Sequence, residues 1–530
     1  MTLAPIEDAG VAYLRERRWF ATLTVNLSTI GSIMASTMVN VALPDIMGAY
    51  GVGQDTAHWM STGFLSAQSV CLLLNAWLVS RIGPRRTYLL AIILFVAASL
   101  LGQTGANMGT VILARVLQGC AAGLLQPLAL MVVYAAFPPH QRGIGMGIFG
   151  MGIVLGPALG PVIGGLIVDH FAWQYTFIGS LPVCILGGVL AFSTLPDRLG
   201  TASRRPFNWV SFALIVFALT VGLTSASNGQ RLGWNDPSVV LGLVGALLAF
   251  LGFVIWEVLT TSPLLQVRLF TNPAFAISSC VGFIFGAGMF SSLYILPLFA
   301  QTVQNYTATK SGLMLMPAGL ILLVVFPIAG RLAQHSSRGP IIAGLACFGL
   351  SNFLLAGGDV NTAFWTVAIL TAVGRVGLGL IMPALNLQGL RTLPSDLMPY
   401  GAGTLNFVRM MGAACGVNAV SLVLDRGLDR HFALLRATQT EANAMTQEFL
   451  LRMNQYLDAA GLAGSERLAA MNGYLRQVIE HQANALAHQD GFWFIGILFL
   501  AAIVPAIFLA QRGGEEAQRP APAAAVPARS

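Results

Sequence analysis

Three arginines, Arg115, Arg375 and Arg409, stand inside long apolar runs, and no Asp or Glu lies at comparable depth. An ionisable side chain in hydrocarbon is costly, so each is a candidate for a transport path by default. A guanidinium stays charged, and positive potential in a low-dielectric path favours anionic or neutral lipophiles over permanent cations. The alternative reading of Arg115 is a structural arginine satisfied by backbone carbonyls; Arg375 and Arg409 stand evenly between an interior structural role and the path. The available acids are peripheral: Asp45, Asp169, Glu257 and Asp425 all fall at the ends of apolar runs. A proton carrier must titrate near working pH and face both sides in turn, so none of Asp45, Asp169, Glu257 and Asp425 is singled out as the carrier. His58 titrates in the useful range but reads as an interfacial residue. Polar residues that could line a path include Asn26, Ser32, Ser36, Asn40, Gln68, Asn75, Gln118, Gln126, Asn386 and Gln388. Phe64, Met289, Phe290, Tyr294, Met314 and Met316 could supply an adaptable apolar wall.

A second pattern concerns movement. Gly147–Gly165 reads GIFGMGIVLGPALGPVIGG, with Gly152, Gly156, Gly160 and Gly164 at every fourth position. On a helix these form one bare stripe that a second helix can approach at backbone distance. Pro157 and Pro161 each remove a backbone donor and bend the helix. A smooth, bent helix suits a moving interface, although small residues at this spacing also occur as ordinary membrane-helix packing.

These residues need a membrane to sit in, and the composition supplies one. Of 530 residues, 56% are hydrophobic and 9% charged, with mean hydropathy +0.73, too few charges to cover a water-soluble surface. Apolar runs of roughly 20 residues, enough to cross about 30 Å of hydrocarbon, recur along the chain. The most economical count is fourteen, near 19–43, 57–79, 86–104, 108–133, 143–168, 174–194, 209–227, 238–258, 274–300, 311–331, 340–357, 363–385, 400–424 and 491–511. Arginines gather on one side of this pattern: Arg15, Arg17, Arg18, Arg81, Arg85, Arg86, Arg142, Arg198, Arg204, Arg205, Arg268, Arg331, Arg338, Arg391 and Arg512. The opposite short loops hold little beyond Arg231 and Lys310. Short cytoplasmic loops retain positive charge, so both termini are expected in the cytoplasm. The net charge of +7 is thus a topology signal, and no basic soluble domain supports nucleic-acid binding. The first span lacks a small-residue cleavage site and is expected to remain as an anchor. The six cysteines lie within spans and read as small apolar packing residues, with no metal or disulfide pattern.

An internal duplication is visible. Ala76–Arg86 (AWLVSRIGPRR) has a counterpart in Gly330–Pro340 (GRLAQHSSRGP), and Gly123 and Pro127 correspond to Gly379 and Pro383, at offsets of about 254 and 256. The expected organisation is an N-terminal bundle at 1–195, a linker with an inserted helix pair at 196–262, a C-terminal bundle at 263–512 and a disordered tail at 513–530. Transporters built from such repeats bind substrate near the midplane and rock one half against the other. Residues 425–490 carry apolar positions at three- and four-residue spacing, among them Leu450, Met453, Leu457, Leu468, Met471 and Leu475, and are expected to form extracytoplasmic amphipathic helices. These would lie on the bilayer or cap the bundle, or else offer a docking surface to a partner.

The motifs resemble those of the fourteen-helix drug:proton antiporters (EmrB/QacA type) of the major facilitator superfamily. Gly147, Gly156, Gly160, Pro161, Gly164 and Gly165 match the spacing of the antiporter signature in the fifth helix. Ser36–Pro44 is similar to the opening motif, Arg115–Gly119 to RxxQG, Trp173–Phe177 to WRWxF and Asn406–Gly412 to NxxRxxG. The loop with Arg81, Gly83, Arg85 and Arg86 resembles the cytoplasmic gate. Two positions depart: Ala35 and Ser80 stand where the family usually has acids. The resemblance implies an all-α membrane protein with two pseudo-symmetric six-helix bundles and two inserted helices, in a bacterial inner membrane. It also implies proton coupling, with Arg115 facing the cavity, no cofactor beyond the proton gradient, and in Gram-negative members a periplasmic adaptor and an outer-membrane channel. The expectation is multidrug efflux of weakly acidic or neutral lipophiles. An uptake permease of the same fold, a transport-inactive sensor and a membrane enzyme are the alternatives; acids and histidines scattered through loops disfavour the enzyme.

Overall fold

A computed structural model describes residues 9–509, apart from 53, 200–205, 307, 395–396, 441–442 and 462–463. Arg204, Arg205, Arg512 and the tail at 513–530 lie outside the described residues. For Asn40, His58, Asp169 and Arg231 the backbone alone is described.

The described chain is helical, and its helices follow the apolar runs. A short α1 (Ala9–Glu16) leads into α2 (Arg18–Val41) and a second short helix, α3 (Leu43–Tyr50). Then come α4 (Gln54–Ile82), α5 (Pro84–Thr104), α6 (Met108–Ala136), α7 (Arg142–His170) and α8 (Leu181–Thr194). The inserted pair is α9 (Trp209–Leu232) and α10 (Pro237–Leu259). The C-terminal set is α11 (Pro273–Thr302), α12 (Ala308–His335), α13 (Arg338–Leu355), α14 (Phe364–Arg391) and α15 (Met398–Thr438), then α16 (Ala444–Ala459), α17 (Gly464–Ala501) and α18 (Ile503–Ile507). Among the described residues, thirteen helices are long and apolar enough to cross a membrane. The fourteenth is α2, 24 residues long, whose Asn26, Ser28, Thr29, Ser32 and Ser36 dilute its apolar character. Side-chain caps start several helices: Asn107, Asn208, Asp236 and Asn272 accept from the first free amides of α6, α9, α10 and α11. At Asp236, in the loop between α9 and α10, bonds from the Ser238 side chain and amide hold the carboxyl below its usual range.

Helices α2 and α4–α8 pack among themselves, as do α11–α15 with α17. The inserted helices pair with each other, and α9 leans on α4. Two seams join the halves, α7 with α12 and α4 with α15. They are related by the duplication. A Cβ at Gly147 of α7 would lie 2.4 Å from the carbonyl oxygen of Phe326, and one at Gly403 of α15 would lie 3.1 Å from that of Leu72. Gly403 follows Gly147 by 256 positions and Phe326 follows Leu72 by 254, the same offsets as the sequence echoes.

The segment at 425–490 differs from separate surface-lying helices. Helix α15 runs unbroken from the membrane to Thr438, and α17 runs from Gly464 down into its span. The two extensions pack together, with Gly427 against Ala487 and a 2.9 Å contact between His431 Nε2 and Asp490. Arg467 ties α16 to α17 through Asp458 at 2.5 Å. The apolar periodicity read correctly as helix; continuity with the spans was hidden because polar residues interrupt it.

Candidate functional site

The bare stripe of α7 meets a helix of its own half. A Cβ at Gly152 would reach Asn26, one at Gly156 would reach Ile33, one at Gly160 would reach Thr37 and one at Gly164 would reach Met38, all on α2. Asn26 Nδ2 also donates to the carbonyl oxygen of Ile148 at 3.2 Å. The expectation of a moving interface along this stripe is therefore corrected: Gly152–Gly164 fuse α7 to α2. The inter-half contact lies on another face, nearer the arginine-rich end. There a Cβ at Gly143 would lie 2.0 Å from the carbonyl oxygen of Gly330, and one at Gly150 would strike the Phe326 ring. Met151, Val154 and Leu155 face Gly319, Leu322 and Phe326 across a narrow gap. Farther along, Gly165 and Gly312 have open space beside them. The α7–α12 seam is thus closed at the arginine face and released toward the other. Pro161 is exposed and Pro157 half-buried, and α7 remains one continuous helix through both.

A second glycine ladder was missed. Gly403, Gly412 and Gly416 of α15 repeat the spacing of Gly147, Gly156 and Gly160. Gly412 packs on Phe283 and Gly416 on Ala287 of α11, as Gly156 and Gly160 pack on α2. The identical spacing was the signal that could have found it.

The three arginines occupy different surroundings. Arg115 is 1% exposed and bridges three helices. Its Nε donates to Met60 O at 3.3 Å on α4, Nη1 to Ala35 O at 3.4 Å and Nη2 to Ser36 O at 3.4 Å on α2. Nη1 also donates to Gln118 Oε1 at 3.1 Å, Gln118 passes a bond to Ser99 at 2.9 Å, and Phe64 stacks at 4.4 Å. Arg115 and Gln118 therefore come together, in a cage of carbonyls rather than beside an acid. Arg409 is 5% exposed and donates to Asn406. Arg375 is 7% exposed and has no hydrogen-bond or ion-pair partner among the described residues. No described acid pairs with any of the three.

The peripheral candidates lie elsewhere. Asp45 is exposed in the first turn of α3. Glu257 is 3% exposed, and its two oxygens accept from the amides of Leu264 and Leu265, each at 3.2 Å. It caps the chain leaving α10 and stands apart from the arginines. Glu257→Ala should leave two buried amides unpartnered and cost about 2 kcal/mol. A lowered thermal midpoint with transport otherwise normal is the expected result; lost proton coupling at unchanged stability would return Glu257 to the path.

Around the loop after α4, Gly83 has φ 86° and a Cβ there would meet Asp197 O at 1.8 Å, so only glycine fits. Arg85 Nε donates to Leu195 O, the C-cap of α8, at 2.7 Å, and Nη1 pairs with Asp197 at 2.9 Å. With Ser80 bonded to Trp77 O, the arginine has found a helix C-terminus and a different acid within its own half. Arg81 stacks 5.5 Å from the Trp77 ring and Arg86 is exposed. The loop ties α5 to the end of α8, and the backbone glycines of α7 and α12 close the arginine face.

Two related helical bundles, joined at two glycine seams around buried polar residues, define a membrane transporter of the two-bundle class. The chain belongs to the Major Facilitator Superfamily, whose family profile matches residues 25–417. It is therefore a transporter and not an enzyme. It is 26% identical to the multidrug export protein EmrB of Escherichia coli strain K12 over 507 residues, covering 94% of this chain and 95% of that protein. It is 25% identical to the fatty acid resistance protein FarB of Neisseria gonorrhoeae over 520 residues, covering 96% and 98%. Among solved structures it is similar to the human organic anion transporter MFSD10 (TETRAN), with a TM-score of 0.62, 14% identity and coverage of 92% and 99%. The proton:xylose symporter XylE follows at a TM-score of 0.61 and 13% identity, covering 95% and 97%.

Proposed function

We propose that this protein exports lipophilic, weakly acidic or neutral compounds in exchange for protons, by alternating access between its two halves. The arginine face is the cytoplasmic one, following the distribution of positive charge. The observation that carries the substrate class is the set of three deeply buried arginines with no described acid beside them. In such a path a permanent cation meets positive potential, whereas an anion gains from it. The names of EmrB and FarB support export and fatty-acid-like cargo. The energy source is the proton gradient, with no cofactor, and a periplasmic adaptor with an outer-membrane channel is the partner set this reading includes. The paired extensions of α15 and α17 would stand on the periplasmic side.

The test is proton flux in proteoliposomes on addition of matched acidic, neutral and quaternary ammonium lipophiles. Acidic and neutral compounds should elicit flux at least fivefold above the cations. Flux driven only by cations would contradict the substrate class, and substrate movement without proton flux would contradict the coupling.

A further inference from the structure

We propose that Arg375 is the anchor for the carboxylate of an exported amphipathic acid. This deepens the acidic-lipophile reading and rests on it. The offset that maps Gly123 and Pro127 of α6 onto Gly379 and Pro383 of α14 maps Gly119 onto Arg375. In the N-terminal half a Cβ at Gly119 would lie 2.3 Å from the carbonyl oxygen of Phe64, so α6 rides directly on the backbone of α4. At the equivalent place the C-terminal half inserts one of the longest side chains. An otherwise repeated packing is broken there by a charge.

The neighbours of α14 orient that charge. Gly374 and Gly377 turn toward α13, meeting Ser351 and Gly344. Gly379, one turn after Arg375 on the same face, meets Leu322 and Val325 of α12. Leu322 also borders the gap between α12 and α7, so Arg375 lies on the side of α14 that faces α12, the helix that forms the seam with α7. Helical side chains lean toward the N-terminus of their helix, which for α14 is the end away from the arginine face, where the seam is released.

Satisfaction of donors ranks the three arginines. Arg115 has three carbonyls and Gln118. Arg409 has Asn406. Arg375 has no partner among the described residues, and one turn away the buried Thr371 Oγ1 is also without a hydrogen bond. A guanidinium with five donors is matched in geometry by a carboxylate, which would accept two bonds from it and one from Thr371. Arg115 is then a strut, Arg409 is held by Asn406, and Arg375, with no described partner, is the arginine most available to cargo.

Equilibrium binding of laurate, with dodecanol as its uncharged match, tests the assignment on the full-length protein in lipid nanodiscs. Wild type should bind laurate at least tenfold more tightly than dodecanol. Arg375→Gln should erase that preference while dodecanol binding persists, which also reports a folded protein, and Arg375→Lys should restore most of it. Retention of the laurate preference in Arg375→Gln overturns the proposal and leaves the acidic-lipophile reading intact. A wild-type protein with no preference for laurate overturns both.

Discussion

Gly330→Val should reduce transport at least twentyfold and hold the arginine face open. The carbonyl oxygens of Gly143 and Gly330 each lie about 2 Å from where the other's Cβ would stand. A branched side chain there meets backbone on the opposing helix, which cannot rotate aside as a side chain does. The seam must separate, and every state that needs it closed is lost. Gln334, half-buried against Gly143, reports the change. A Gln334→Cys reporter should react with maleimide several-fold faster in the Gly330→Val background. Gly312→Val, placed where nothing lies within 4 Å, should transport normally and serves as the control. Normal transport and unchanged labelling in Gly330→Val would show that this contact is not the closing element.

Arg115→Ala should abolish transport of every substrate alike, through loss of structure. The guanidinium joins α2, α4 and α6 through bonds to Ala35, Ser36 and Met60, and its removal leaves a void beside Phe64. Release from an uncompensated buried charge offsets part of the loss. Cavity and lost bonds together still predict a destabilisation of about 3 kcal/mol. The expected signature is a lower thermal midpoint with acidic and neutral substrates equally affected, in contrast to the selective loss predicted for Arg375→Gln. A protein of wild-type stability that moves substrate without protons would instead make Arg115 part of the coupling.

The spans were legible in the sequence because hydrocarbon thickness imposes a minimum apolar length, which is read without knowing any tertiary contact. The duplication was legible for a related reason: Gly123 and Gly379 survive as packing points in both copies, against Gln68 in one half and against Leu322 in the other. The ladder at Gly152–Gly164 showed which face of α7 is bare. A bare face does not say which helix covers it, so α2 and α12 could not be told apart. Arg115 was harder still, since its partners are backbone carbonyls and these leave no mark in residue identity. Glu257 was hard to read for a similar reason: its partners are two amides in a loop, and a carboxylate at a span end looks the same whether it caps a turn or carries a proton. The extensions of α15 and α17 were seen as helices but not as continuations of the spans, because hydropathy falls at the membrane edge whether or not the helix ends there.

If the two bundles pivot about the glycine seams, as proposed, the two ends of α7 and α12 must move in opposite senses. Spin labels carried by unnatural amino acids at His140 and His335 report the arginine face, and a second pair at His170 and Lys310 reports the other; all four positions are exposed. Pulsed electron spin resonance in nanodiscs, comparing high with low pH and absence with presence of laurate, should show one distance lengthen as the other shortens. Two distances that stay fixed, or that change together, would contradict the account.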